Sequence, residues 1–333
     1  MKAPAFWSRK PGLAAALLSP ASAVWSTVTR HRLARLPNFT APVPVICVGN
    51  LTAGGTGKTP TVIALAERLA AMDVRAQVLS RGYGGSDPGP RRVAPTDRAG
   101  ETGDEPLLLS AFAPTWIARD RAAGARAMLE SPEPPEVILL DDGFQNPTLA
   151  KTASVLVFDS GAGLGNGRVI PAGPLREPVA AGLTRGHHAV FIGAERDTEA
   201  LLEAHPALAT LPRTVARLAP LPTGMPWPGL RVLAFAGIGR PEKFFETLRS
   251  LGADLAATRA FADHGPYSDA ILARLKEDAR TLGAQLVTTE KDAVRLPQAF
   301  RTKVLTLPVR LESDDWSSLD ALLSRIIADH RRP

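Results

Sequence analysis

The stretch Gly54-Gly55-Thr56-Gly57-Lys58-Thr59-Pro60 constrains this chain more than any other part of it. It lies between an apolar, β-branched run, Val43 to Val48, and a helix-like run, Thr61 to Met72. Strand, glycine-rich turn, Lys-Thr and helix is the layout of a phosphate-binding loop. The glycines let successive backbone N–H groups curl around phosphate oxygens. The helix start adds its dipole, the lysine reaches the terminal phosphates, and the threonine hydroxyl suits Mg²⁺. One position departs from the strict spacing: a glycine is expected five residues before Gly57, and Thr52 stands there. The competing reading is a glycine-rich turn with a chance Lys-Thr after it, and the flanking strand and helix patterns weigh against that.

The chain has 333 residues, enough for about two domains with substantial cores. Hydrophobic residues at 45% and charged residues at 22% place it among ordinary folded proteins. The single cysteine, Cys47, sits in the apolar run before the loop, so no internal disulfide or cysteine-based metal site can form. No apolar run is long enough for a spanning helix. The net charge of +6 is local: residues 1–36 hold Lys2, Arg9, Lys10, Arg30, Arg32 and Arg35 and no acid, so the rest sums to zero. A nucleic-acid partner is therefore not expected, and no obligate protein partner is evident.

Residues 11–25 are apolar and flanked by Arg and Lys, with Phe6, Trp7 and Trp25 as interfacial aromatics. Three readings compete. Ala21-Ser22-Ala23 loosely fits a signal-peptide cleavage site, though a nucleotide-dependent enzyme has little ATP to use outside the cytoplasm. A membrane-surface anchor would insert the apolar stretch shallowly and set the cations against anionic headgroups. The third is a helix packed on the body of the protein.

Short apolar runs predict strands at 43–48, 74–79, 137–140, 154–158 and 188–192, with helices at 60–72, 105–112, 119–130 and 197–204. The alternation reads as βαβ units and a mostly parallel sheet. A proline-rich passage, Leu211 to Pro228, reads as a linker. Strands at 231–236, 254–259, 284–288 and 303–307 and helices at 241–251 and 268–282 follow. The expected organisation is an N-terminal segment 1–36, a phosphate-loop α/β domain 37–215 and a smaller α/β domain 216–333.

Several constellations could carry chemistry. Val137 to Leu140 runs into Asp141-Asp142; in a nucleotide-binding sheet, carboxylates at a strand end meet Mg²⁺ beside the phosphate loop. Many strands also end in Asp simply to start a turn. Gly103-Asp104-Glu105-Pro106 opens an apolar helix; Asp104 is either an N-cap or, with Glu105, a base and metal ligand facing the same sheet edge. His264 lies in a strand-to-helix loop, where catalytic groups are common and solvated histidines commoner. Arg81 and Tyr83, in a glycine-rich loop, and Arg119 and Arg121 suit an anionic substrate or serve as ordinary helix-start charges. Gly161 to Arg176 is a long connection of the kind that covers sites.

The order of the unusual pieces is specific. Val48-Gly49-Asn50 leads into the phosphate loop. Then come Ser80-Arg81-Gly82-Tyr83-Gly84, Gly103-Asp104-Glu105-Pro106, Asp141-Asp142-Gly143-Phe144-Gln145 and Gly165-Asn166-Gly167. Pro171 to Glu177, Phe235-Ala236-Gly237-Ile238, Asp263-His264 and Thr289-Glu290-Lys291-Asp292 complete the set. From about residue 40 to 310 the chain resembles the tetraacyldisaccharide 4′-kinase, or lipid A 4′-kinase, family. The resemblance implies two α/β/α domains that close on nucleotide. It implies transfer of the ATP γ-phosphate to the 4′-hydroxyl of a lipid disaccharide 1-phosphate, with Mg²⁺, at the cytoplasmic face of the bacterial inner membrane. It implies Lys58 and Thr59 as the loop lysine and Mg²⁺ threonine, Asp104 as catalytic base with His264 as partner, and Glu105 and Asp142 near the metal. Asn146, expected with Arg81, Tyr83, Arg119 and Arg121 to bind the substrate, stands where the family usually has histidine, and Gly265 where a bulkier residue is frequent.

The chemistry read from the residues agrees. Phosphoryl transfer needs positioning and charge neutralisation more than covalent catalysis, and a sugar hydroxyl needs a carboxylate within reach. A hydrolytic ATPase or GTPase switch or metallochaperone is the alternative, although Ala53 stands where that class often has a further lysine. A binding protein with a degenerate loop is disfavoured by the intact Lys58, Thr59, Asp104 and Asp142.

Overall fold

The computed structural model describes residues 4–331, so Lys2 lies outside the described residues. Among the described residues, thirteen strands form two sheets. In chain order they are β1 (Val45–Gly49), β2 (Ala76–Ser80), β3 (Arg91–Arg92), β4 (Thr115–Ile117), β5 (Val137–Asp141), β6 (Ala153–Asp159), β7 (His188–Ile192) and β8 (Arg213–Pro220). There follow β9 (Arg231–Ala236), β10 (Asp254–Ala260), β11 (Gln285–Thr289), β12 (Val304–Leu307) and β13 (Val309–Glu312). The large sheet has the order β13-β8-β7-β6-β1-β5-β2-β4-β3 and the small one β10-β9-β11-β12. All pairings are parallel except the two at the edges of the large sheet, β13 on β8 and β3 on β4.

β1 shows why a parallel sheet forms. All five of its residues are buried, as a strand covered on both faces requires. Its side chains alternate: Ile46 and Val48 join one core with Leu139 of β5 and Leu65 and Leu69 of the helix Lys58–Ala71. Val45 and Cys47 join the opposite core with Ile138, Leu140 and Phe144. The small sheet repeats the plan. Val232, Ala234 and Ala236 pack with Phe245 and Leu248, while Leu233 and Phe235 pack with Leu272 and Leu275. Both units are helix–sheet–helix sandwiches.

Two parts of the organisation differ from expectation. The passage Leu211 to Pro228 is not a linker throughout, because Arg213–Pro220 is β8, paired to β7 from Ala189 opposite Arg213 onward. Its prolines lie at the ends, Pro212 before the strand and Pro220 closing it, so none removes an interior ladder bond. The chain also returns to the large sheet after β12. β13 pairs with β8, and Leu319, Leu322, Leu323 and Ile326 of the helix Ser317–Arg331 enter the core beneath β1. The small sheet thus occupies 231–307 rather than everything after 216.

The helix Leu13–Leu33 buries only the narrow stripe Ala15, Ser22 and Thr29. Trp7 Nε1 donates to the Pro171 carbonyl at 3.0 Å, Ser22 Oγ to that of Val169 at 2.7 Å, and Trp25 Nε1 to that of Arg176 at 3.0 Å. The segment is therefore docked on the 166–176 loop. Its other face carries exposed Leu13, Leu17, Val24 and Val28. Among the described residues no helix is long and apolar enough to cross a membrane.

Candidate active site

The phosphate loop leaves β1 at the C-terminal edge of the sheet and ends where Gly57 starts the helix Lys58–Ala71. Gly57 has φ 92°, and a Cβ there would lie 2.4 Å from Ile192 Cδ1, so both conformation and space require glycine. Around Gly54 and Gly55 no atom lies within 4 Å of where a side chain would begin, which leaves the loop crest open. No side chain caps this helix, so its first N–H groups are available to an anion. Pro60 sits in the first turn, where its missing N–H costs nothing.

Thr52, the departure from the strict motif, forms an antiparallel bridge to Leu175. Ala53 N donates to the Pro174 carbonyl at 2.7 Å, and Arg176 N to that of Leu51 at 2.7 Å. The loop entrance is therefore extended backbone that any residue adopts. Beneath it the buried Asn50 donates from Nδ2 to the Thr52 carbonyl at 2.7 Å and to Thr56 Oγ1 at 3.0 Å, fixing the loop from inside.

Asp141 ends β5, the neighbour of β1, and Asp142 follows it in the turn. Asp141 is buried and accepts from Ser80 Oγ at 3.0 Å. Burial, then the nearby Glu105 and Asp142 carboxylates, hold it well above the usual carboxylate range against the pull of Lys58. Burial also works against the charge of Asp142, but Lys58 and Arg176 outweigh it and hold that carboxyl low. Arg176 grips Asp142 with two bonds of 2.8 and 3.1 Å, and Lys58 Nζ stands 3.7 Å away. Thr59 follows in the first helical turn. Among the described residues no cluster of three His, Cys, Asp or Glu is arranged as a metal cage. A few hard oxygen donors beside a phosphate cradle suit Mg²⁺, which takes much of its shell from substrate phosphates and water.

The second half of the site is assembled across the two units. Asp104, buried at the start of the short helix Asp104–Leu109, accepts from His264 Nδ1 at 2.9 and 3.1 Å, although the two are 160 residues apart. His264 holds φ 57° in the loop after β10, a left-handed conformation that marks strain at a functional position. Its Nε2 accepts from Lys291 Nζ at 3.2 Å, so the neutral ring carries its proton on Nδ1, facing Asp104. Arg295 lies 3.7 Å from Asp104 and is fixed by Asp292 at 2.7 Å. Asp292 is fully buried and also accepts from Tyr267 Oη and Gly237 N. Burial opposes the Asp104 charge, yet the His264 bond and the Lys291 and Arg295 charges prevail and its carboxyl lies below the usual range. The same bond raises His264, against burial and the Lys291 charge.

The remaining expected residues are placed unevenly. Glu105 points its carboxylate at Lys291, 3.0 Å away, which engages it in an ion pair between units. Tyr83 is exposed and its ring stands edge-on to His264 at 5.9 Å. Arg81 is exposed beside it. Arg121 is buried behind Asp141 and Asp142, bonded to the Ala118 carbonyl, with its Nε unpartnered; burial pulls it down to about 10. Arg119 reaches only the Ser86 carbonyl. Asn146 spends its side-chain oxygen on Thr148 N and Oγ1, an Asx turn. Sequence reasoning assigned no role to Arg176, Lys291 or Arg295. Arg176 and Lys291 lie inside quoted motifs, whereas nothing local marks Arg295.

The family model described as tetraacyldisaccharide-1-P 4′-kinase matches residues 14–328. A tetraacyldisaccharide 4′-kinase of Jannaschia is 53% identical over 98% of this chain and 99% of that protein. One from Dinoroseobacter shibae is 54% identical over 100% and 99%. A crystal structure of LpxK from Aquifex aeolicus in complex with ATP is 28% identical, with a TM-score of 0.74, and the match covers 95% of this chain and all of that one.

Proposed function

The chain belongs to the tetraacyldisaccharide 4′-kinase family, and from that premise we propose how its residues transfer the γ-phosphate of ATP to the 4′-hydroxyl of a tetraacyldisaccharide 1-phosphate. The loop Gly54 to Thr59 receives the β- and γ-phosphates. Lys58 and the helix start offset the charge that spreads over the phosphoryl oxygens as the bond to ADP breaks. Thr59, Asp141 and Asp142 would hold Mg²⁺, which when bound neutralises phosphate charge. Arg176 orients Asp142 from the other side.

Asp104 acts as the base. It is held ionised by the geometry above, and as the 4′-oxygen bonds to phosphorus the hydroxyl proton passes to its carboxylate. His264 positions that carboxylate through its Nδ1–H, and the pair exists only when the units meet, which keeps water from the phosphoryl group. The single observation that carries this reading is the Asp104–His264 contact at 2.9 Å, made between the two units. Tyr83, exposed with its ring edge-on to His264, and the exposed Arg81 two residues before it would meet the acceptor.

We propose further that the protein works as a peripheral enzyme at the cytoplasmic face of the bacterial inner membrane. The exposed face of Leu13–Leu33, flanked by Arg9, Lys10, Arg30, Arg32 and Arg35, supports that reading. The test is incubation with γ-labelled ATP, Mg²⁺ and the tetraacyldisaccharide 1-phosphate in detergent. Label in the lipid is the expected result; release of labelled phosphate alone would return the chain to the hydrolytic alternative.

A further inference from the structure

The chain passes from the large sheet to the small one after β8 and comes back at Pro308, so β13 is the return strand at the edge of the large sheet. Arg310 on that strand touches three elements at once. Its Nη1 bonds both oxygens of Glu290, at 3.0 and 2.8 Å, and Glu290 also accepts from Val309 N at 3.1 Å. Its guanidinium lies 4.5 Å from the centre of the Phe112 ring, and its Nε is 3.9 Å from Glu67.

Each partner belongs to an element that carries a site residue. Glu67 is on the helix whose first turn holds Lys58 and Thr59. Phe112 closes the turn after Asp104–Leu109, bonded to the Leu109 carbonyl. Glu290 starts the short helix Glu290–Ala293, whose next residue, Lys291, reaches Glu105 and His264. Both Arg310 and Glu290 are largely buried, with side chains 16% and 19% exposed, so the pair is dry enough to hold its geometry.

We propose that Arg310 is a positioning residue for phosphoryl transfer: by clamping Glu290 against the phosphate-loop helix and the Phe112 turn, it fixes the angle between units at which His264 meets Asp104. It touches no reacting atom. A cation at the hinge acts on the chemistry through alignment, and small misplacements in such a reaction cost disproportionately in rate.

The proposal rests on the two-unit reading of the site, and its test has one arm that needs no turnover. Spin labels at Glu130→Cys and Glu277→Cys, exposed positions on the two units, report their separation by pulsed EPR. Cys47 is fully buried, with its thiol pushed up to about 12 by that burial, and stays unlabelled. Arg310→Met is expected to broaden the distance distribution and to lower kcat about tenfold while the ATP dissociation constant stays within about twofold. Arg310→Lys, which keeps the cation, should recover most of both. Adding Glu290→Gln to Arg310→Met should cost little more than the worse single change. An unchanged distribution overturns the clamp even if the wild-type protein proves not to be a kinase. A kcat within about twofold of wild type, or a kcat loss matched by lost ATP affinity and a lower Tm, overturns the positioning role.

Discussion

The two halves of the site are built on different principles. The phosphate-loop half comes from one unbroken stretch, β1, loop and helix, seated on strands buried on both faces. The base half joins Asp104 to His264 and Lys291, residues of two units that meet through side chains. The first is fixed by contacts within its own unit, the 166–176 loop included. The second exists only in one arrangement of the units, so it is the half in which motion can regulate the reaction.

The largest effect is expected in the rigid half. Lys58→Ala removes the cation from the transferring phosphoryl group, and turnover should be nearly abolished while the fold and the EPR separation remain. Near wild-type lipid phosphorylation by this variant would make the loop a structural turn and erase the comparison.

The next prediction concerns the assembled half. Asp104→Ala and His264→Ala should each lower kcat, by roughly 10²–10⁴ for loss of a general base, more than they raise KM for ATP. Because they act as one unit, the double variant should fall little below the worse single one. Strictly additive losses, or a His264→Ala variant with wild-type rate, would leave the dyad a contact without catalytic meaning.

The same contrast explains what was legible in the sequence. Gly54 to Pro60, Asp141 and Asp142 are visible because strand, turn and helix signals lie within a few residues of the groups they position. The central strands were visible too, since burial on both faces writes a continuous apolar run. β8 was masked by Pro212 and Pro220 at its ends, and the return of β13 to the large sheet depends on a pairing nearly a hundred residues away, between Leu311 and Leu218. Arg295 could not be found from its neighbours, because its meaning comes from Asp104 in the other unit. The engagement of Glu105 by Lys291 is of the same kind: a carboxylate beside a proposed base reads as a metal ligand until the facing ammonium is placed.

A smaller effect should follow from removing residues 1–36. Trp7, Ser22 and Trp25 hold the loop that carries Arg176, so the truncated protein should lose a modest part of its turnover as well as its attraction to anionic vesicles. Each basic residue near such a surface contributes about 1 kcal/mol, so salt should release the full-length protein. Vesicle sedimentation against ionic strength checks this, and binding that ignores salt would point to apolar insertion through Leu13, Leu17, Val24 and Val28 instead.

The smallest effect separates the supports of the two halves by pH. His188 lies wholly buried in β7 of the large sheet, with Nε2 beside Thr214 Oγ1 at 2.9 Å and Nδ1 unpartnered. Burial pulls it down to about 4, so the folded protein keeps it neutral where the unfolded chain takes up a proton. Its contribution is therefore intact above the ordinary imidazole range, near 6.5, and is lost as pH falls from there toward 4. The limiting slope is about 1.4 kcal/mol per pH unit. The small sheet contains no histidine, and His264 in the loop after β10 is raised and not lowered, so acid should weaken the phosphate-loop unit through a buried neutral imidazole that the other unit lacks. Urea denaturation between pH 7 and 5, followed by fluorescence, should show a shallower acid loss for His188→Gln than for wild type. Equal slopes would mean that Thr214 holds the ring equally well in its charged form, and that the difference between the two units lies only in how their site residues are brought together.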